Sequence, residues 1–177
     1  MNYNVAFISL GCAKNQVNCE QMMATVQAAG HNVCTDPEGA DVVVINTCGF
    51  LASACGEAID NILEMAALKL AGRVKKILVT GCMAQRYQKD ILAEMPEVDG
   101  VLGTGSYGDI AKAIDEVMEI GIRPCHFGNI HTAEQGGEDG VGGKLRHHRL
   151  QQVDAGVGQQ GGHHRANGHP SSQPDPR

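Results

Sequence analysis

Three short apolar runs constrain this chain more than any other feature, because all three end in the same way. The stretches "NVAFISLGC", "DVVVINTCG" and "KKILVTGCM" each give way within two residues to a cysteine beside a glycine. A segment with helical periodicity follows each of them. Runs that are apolar on consecutive residues, rather than on alternate ones, are typical of strands buried on both faces, and such strands belong to parallel sheets with helices packed on either side.

Extending this reading along the chain predicts strands at Val5–Leu10, His31–Thr35, Val42–Asn46, Lys75–Thr80 and Val98–Leu102. Helices are expected at Asn15–Ala29, Leu51–Leu70, Ala84–Met95 and Tyr107–Ile120. The expected fold class is α/β: a doubly wound parallel sheet, flavodoxin- or Rossmann-like, of about five strands with helices on both faces. Aromatic residues make up only 3% of the chain and Trp is absent, so the core must be built from aliphatic residues and Met. The methionines at 22, 23, 65, 83, 95 and 118 fall mostly on the predicted helices, where they suit that task.

Composition divides the 177 residues into three parts. Residues 1–120 form the expected domain and 121–133 a linker. Residues 134–177 hold 10 glycines and 5 histidines with few large apolar side chains, too little to offset the entropy of ordering, so they are expected to be a disordered tail. Residues 1–120 carry 8 Lys/Arg against 15 Asp/Glu, a net −7. That balance argues against strong nucleic-acid binding by this chain and suits a basic protein partner. No apolar stretch approaches the roughly 18 residues needed to cross a membrane, and the first residues lack the pattern of a secretory signal. The expectation is a cytoplasmic protein without a membrane partner. There, seven cysteines are ligands, catalytic thiols or buried free thiols rather than a disulfide framework.

Cys12, Cys48 and Cys82 are the candidate metal ligands. Each lies one or two residues beyond a predicted strand, and in a doubly wound sheet the loops leaving the carboxyl ends of the strands gather at one edge, where ligands bind. The glycines at 11, 49 and 81 would allow the loops to approach closely. A helix following each loop would favour a thiolate or an anionic cluster. Three thiolates suit an iron–sulfur cubane with one iron left open. A zinc site would ask for a fourth ligand, and residues 1–120 offer only His31, at the start of a strand and so at the opposite edge. A zinc-bound structural module and a flavodoxin-like binding domain with unliganded thiols stand as the alternatives.

Taken together, "SLGCAKNQVNCEQM", "DVVVINTCGF", "AIDNIL", "LVTGCMAQRY" and "EVDGVLGTGSYGDI" resemble the N-terminal domain of the radical S-adenosylmethionine methylthiotransferases over about residues 3–120. The likeness is strongest to the branch that methylthiolates an aspartate of ribosomal protein S-twelve, and this rests mainly on "SLGCAKN". The tRNA-modifying branch, the alternative within the family, usually differs around that cysteine. The resemblance implies an auxiliary [4Fe–4S] cluster on Cys12, Cys48 and Cys82, whose open iron carries the sulfur or methylsulfide to be transferred. It further implies S-adenosylmethionine and a second [4Fe–4S] cluster in a full-length enzyme, a basic ribosomal protein as substrate, and a cytoplasmic location. The family continues into a barrel marked by CxxxCxxC and then a small RNA-binding β domain. After Cys82 this chain has only Cys125. The expectation is therefore a truncated or frameshifted product, inactive alone.

The remaining features read as structural. Cys19 and Cys55 each fall seven residues after a proposed ligand, two helical turns or about 10 Å further along. Cys34 suits a core position. "GTGSYG" at 103–108 matches a dinucleotide-binding pattern, but it follows what reads as the last strand, so its glycines are taken as turn residues. His147–His148 and His163–His164 are taken as solvated pairs within the tail.

Overall fold

The computed structural model describes residues 1–128. The expected tail at 134–177, its histidine pairs and the last five residues of the linker lie outside the described residues. The described chain runs β1 (Asn4–Ser9), α1 (Ala13–Ala28), β2 (Asn32–Cys34), β3 (Val42–Thr47), α2 (Ala52–Leu70), β4 (Lys76–Gly81), α3 (Cys82–Arg86), α4 (Gln88–Glu94) and β5 (Gly100–Leu102). A 3₁₀ turn at Thr104–Asp109, α5 (Ile110–Asp115), a π-helical turn at Glu116–Ile120 and β6 (Cys125–His126) follow. All neighbouring strands are parallel, in the order β2-β1-β3-β4-β5-β6.

The apolar runs fill both faces of this sheet. From β3, Val43 and Ile45 join the core formed with α2, α3 and α4, while Val42 and Val44 join the core formed with α1 and α5. Burial along α1 follows Asn15, Cys19, Met22 and Val26, and along α2 Cys55, Ile59, Ile62 and Met65. Those spacings of three and four are the stripe by which a helix covers a sheet. Met22, Met65, Met83 and Met95 are all buried. Among the described residues, no helix is long and apolar enough to cross a membrane.

Besides the helix expected over Tyr107–Ile120, which is a 3₁₀ turn to Asp109, α5 over Ile110–Asp115 and a π-helical turn to Ile120, the structure departs from the sequence reading in two places. The helix expected over Ala84–Met95 is broken at Tyr87 (φ −118°, ψ 29°), which separates α3 from α4. The break lets Tyr87 and Ile91 enter the core together with Met83. Second, the sheet has a sixth strand, β6, inside the stretch read as a linker, so "GTGSYG" does not follow the last strand. Two paired residues leave no periodicity to read, and β6 owes its place to distant contacts. The Arg123 guanidinium donates to the carbonyls of Val98, Leu92 and Met95 at 2.8 to 2.9 Å. Beside it, His126 Nε2 lies 2.6 Å from Glu116 Oε2.

Candidate metal centre

The strand order is what brings the three cysteines together. Cys12 follows β1, Cys48 follows β3 and Cys82 follows β4, and these are consecutive strands in the middle of the sheet. Their register is level, with Ser9 opposite Asn46, Asn46 opposite Thr80, and Thr47 opposite Gly81. The crossover on either side of the β1–β3 step makes it the topological switch point, where ligands of such sheets bind.

The loops are seated directly on one another. A Cβ on Gly11 would collide with Cβ of Cys48, and one on Gly49 would come within 2.8 Å of the Met83 nitrogen. At Gly81 it would strike the Thr47 carbonyl oxygen and stand 2.6 Å from Asn46 Oδ1. Gly11 and Gly81 also have φ of +93° and +97°, which a side chain disfavours. These glycines let the Cys12, Cys48 and Cys82 loops stack as three neighbouring layers.

The thiols sense one another. Cys12 caps the N-terminus of α1, and the N–H groups of Asn15 and then Lys14 hold its thiol below the ordinary range. At Cys82, burial of the surroundings and then the negative charges of Cys48 and Cys12 push the thiol up, although its surface remains exposed. The helix argument serves Cys12 best. Cys48 stands four residues before α2, and α3, which Cys82 begins, is only five residues long.

The other cysteines fall outside the three strand-end loops, although Cys19 lines one cavity with Cys12. Cys19 and Cys55 are buried, on the core stripes of their helices. Cys34 is half-buried against the core. Cys125 is exposed and accepts a hydrogen bond from Gln88 Nε2 at 2.6 Å. His31 is buried at the amino edge, where its ring stacks on Tyr3 with centroids 5.5 Å apart. It is far from any role as a fourth ligand beside the cysteine loops.

A polar layer under the cysteines escaped the sequence reading. Asn46 donates from Nδ2 to the Asn15 carbonyl at 2.7 Å, and Asn15 donates to the Leu10 carbonyl at 2.9 Å, which braces the turn that holds Cys12. The Thr47 hydroxyl donates to the Thr80 carbonyl at 2.5 Å. Yet Asn46 Oδ1, Thr80 Oγ1 and the Tyr107 hydroxyl are buried with no hydrogen-bond partner among the described residues. Each such orphan costs about 1–3 kcal/mol. Tyr107 comes from the "GTGSYG" turn. Its phenol is pushed up to about 12 by burial first and by the Cys82 charge second, with Cys12 and Cys19 also contributing. The one sequence signal was the polar pair Asn46–Thr47 ending an otherwise wholly apolar run.

Among the described residues, no three His, Cys, Asp or Glu side chains stand close enough to hold a single metal ion. The donor chemistry fits a multinuclear cluster instead. Three thiols are offered from three adjacent strands, over a glycine cradle and a layer of unpartnered polar atoms.

Known proteins resemble this chain over much of its length. Residues 4–103, which include all three strand-end cysteines, match the model of "Uncharacterized protein family UPF0004". Among curated relatives, the ribosomal protein uS12 methylthiotransferase RimO of Anaeromyxobacter sp. (strain Fw109-5) is 49% identical over 110 residues, which is 62% of this chain and 23% of the relative. The proteins of the same name from Clostridioides difficile (strain 630) and Lachnoclostridium phytofermentans are 47% and 50% identical, over 66% and 64% of this chain and 26% of each relative. The chain thus spans about a quarter of the length of the relatives it matches. With more than half of its residues inside the family model, the chain belongs to family UPF0004, and its described domain is an N-terminal domain of the methylthiotransferase type.

Proposed function

We propose that Cys12, Cys48 and Cys82 hold the auxiliary [4Fe–4S] cluster of a cytoplasmic methylthiotransferase that modifies an aspartate of ribosomal protein uS12. The observation that carries this is the level ending of three adjacent central strands, each in a cysteine, with the loops packed glycine against cysteine. When bound, such a cluster supplies an iron with an open position at which a sulfur-bearing ligand can be held. The protein's part is to hold three thiolates. The Asn15 and Lys14 amides favour the ionised form of Cys12, and Gly11, Gly49 and Gly81 let the loops meet.

The name of the relatives supports a ribosomal protein as substrate, and the net −7 of residues 1–120 suits a basic one. Thiolation of an unactivated carbon calls for a radical. In the family this radical comes from S-adenosylmethionine at a second cluster held by closely spaced cysteines, and residues 83–177 offer Cys125 alone. This chain by itself is therefore proposed to bind the auxiliary cluster without turnover.

Anaerobic reconstitution with iron and sulfide tests the site. A brown protein with cubane absorption is expected, with loading lost in Cys12→Ala, Cys48→Ala or Cys82→Ala and kept in Cys55→Ala. A colourless protein carrying stoichiometric zinc, or loading that depends on Cys55 and not on Cys48, overturns the assignment. Loaded protein given S-adenosylmethionine, a strong reductant and the ribosomal protein should yield neither 5′-deoxyadenosine nor a methylthio mass shift. Either product would refute the inactivity.

A further inference from the structure

We propose that the phenol of Tyr107 donates a hydrogen bond to the sulfur shell of a cluster held by Cys12, Cys48 and Cys82, and so sets how readily that cluster accepts an electron. This rests on the reading that these cysteines hold an iron–sulfur cluster. Four observations lead to it. The Tyr107 hydroxyl is buried and unpartnered. Its titratable neighbours are Cys82, Cys12 and Cys19, two of them proposed ligands, and the Asn18 side chain donates toward the phenol oxygen, which leaves the O–H itself without an acceptor. The ring packs against the α1–α5 core, which fixes its direction.

The fourth observation is that the turn carrying Tyr107 is tied to the helix that Cys82 begins. Gln85, three residues after Cys82, accepts the Thr104 N–H at 3.0 Å and lies so close over Gly103 that a Cβ there would collide with it. From the other side the Gly103 N–H donates to the His126 carbonyl at 2.8 Å, and a Cβ on Gly128 would collide with the Gly105 carbonyl. Any shift of the Cys82 loop therefore moves with the phenol. A protonated phenol offers sulfur an O–H donor, and hydrogen bonds to the sulfurs of a cluster are among the factors that set its potential. They stabilise the form with the extra negative charge and so raise the potential. The couple takes one electron from the titrant, and no bond at the phenol is made or broken.

The test compares the full chain with Tyr107→Phe after anaerobic reconstitution, by iron and sulfide content, a reductive titration followed by electron paramagnetic resonance, and double resonance in deuterated water. Tyr107→Phe should load as much iron as the parent. Its potential should shift downward, and the reduced cluster should lose one exchangeable-hydrogen coupling. Without iron, the variant should melt no lower than the parent, since it sheds an unpaired buried hydroxyl, whereas a merely structural tyrosine would lower the melting temperature. Full loading with an unchanged potential and unchanged couplings overturns the proposal while leaving the cluster site intact. Failure of the parent chain to load iron overturns the cluster reading and this inference with it.

Discussion

The two edges of the sheet are finished in opposite ways. At the amino edge most polar groups are closed on each other, although His31 Nε2 is buried there without a hydrogen bond. Asp41 takes the Asn4 N–H at 2.8 Å and the Lys75 ammonium at 2.6 Å. Asp99 takes the Lys69 ammonium, Lys76 at 3.2 Å and the Ile77 N–H at 2.9 Å. Arg123 satisfies three carbonyls, and His31 accepts the Tyr3 N–H and faces Asp115 at 3.5 Å. At the carboxyl edge, orphaned oxygens on Asn46, Thr80 and Tyr107 lie under thiols of which two are exposed, and Phe50 and Leu51 stand in solvent beside Cys48. One edge is built for stability. The other bears the marks of a surface that leaves groups free for a ligand.

The sharpest way to break this comparison is to add one methyl group at each edge. Gly81→Ala at the carboxyl edge meets both a positive φ and the Thr47 backbone, and should cost roughly 3 kcal/mol or more. Gly39→Ala near the amino edge has a similar φ, +88°, but open space around it, so only the backbone strain of about 1 kcal/mol applies. Denaturant melts of the two variants decide the matter. Equal losses would mean that the cysteine loops are not tightly stacked.

A second pair of substitutions removes polar groups. Asp99→Ala strips three donors of their partner at the closed edge and should cost about 2–3 kcal/mol. Thr80→Val at the open edge is nearly isosteric and deletes an orphan, so stability should hold within about 0.5 kcal/mol or rise. A large loss from Thr80→Val would show that its hydroxyl is already satisfied and would blur the distinction between the edges.

The smallest effect concerns pH. Burial pushes the Asp41 carboxyl up, but the Lys75 ammonium and the Asn4 N–H outweigh it and hold it below the usual range. A carboxyl lowered on folding stabilises the protein above its unfolded value of about 4, and that contribution is lost as pH falls through the folded value. Asp41→Asn should therefore lower the melting temperature slightly at neutral pH and flatten its decline below about pH 4. If the parent and the variant decline in parallel, the ion pair at this edge contributes nothing on folding.

Much of this was legible in the residues themselves. The doubly buried run "VVVI" announced a covered parallel sheet, and the distance from each run to its cysteine announced a strand-end thiol. Spacing alone set Cys19 and Cys55 two helical turns beyond the proposed ligands, as structural or incidental thiols, and the structure places both on core stripes. These properties are local, because periodicity and turn chemistry involve residues within a few positions of each other. Tyr87 marks the limit: its segment reads as one helix, yet the backbone leaves the helical region at this buried residue and divides it in two. Tyr107 was hidden more deeply, in a turn whose glycines looked like its only content.

What the amino-acid sequence determined by itself is therefore the five main strands alternating with helices, their two-faced burial and the position of each thiol at the end of its strand. The tertiary structure alone decided that β1, β3 and β4 are neighbours, that Gly11 meets Cys48 and Gly81 meets Thr47, that Arg123 draws a two-residue strand into the sheet, and that a phenol lies beneath the cysteines. Those outcomes depend on groups brought together from more than twenty residues apart. Pairing of that kind is settled by packing and crossover connections across the whole domain, and no window of sequence contains it.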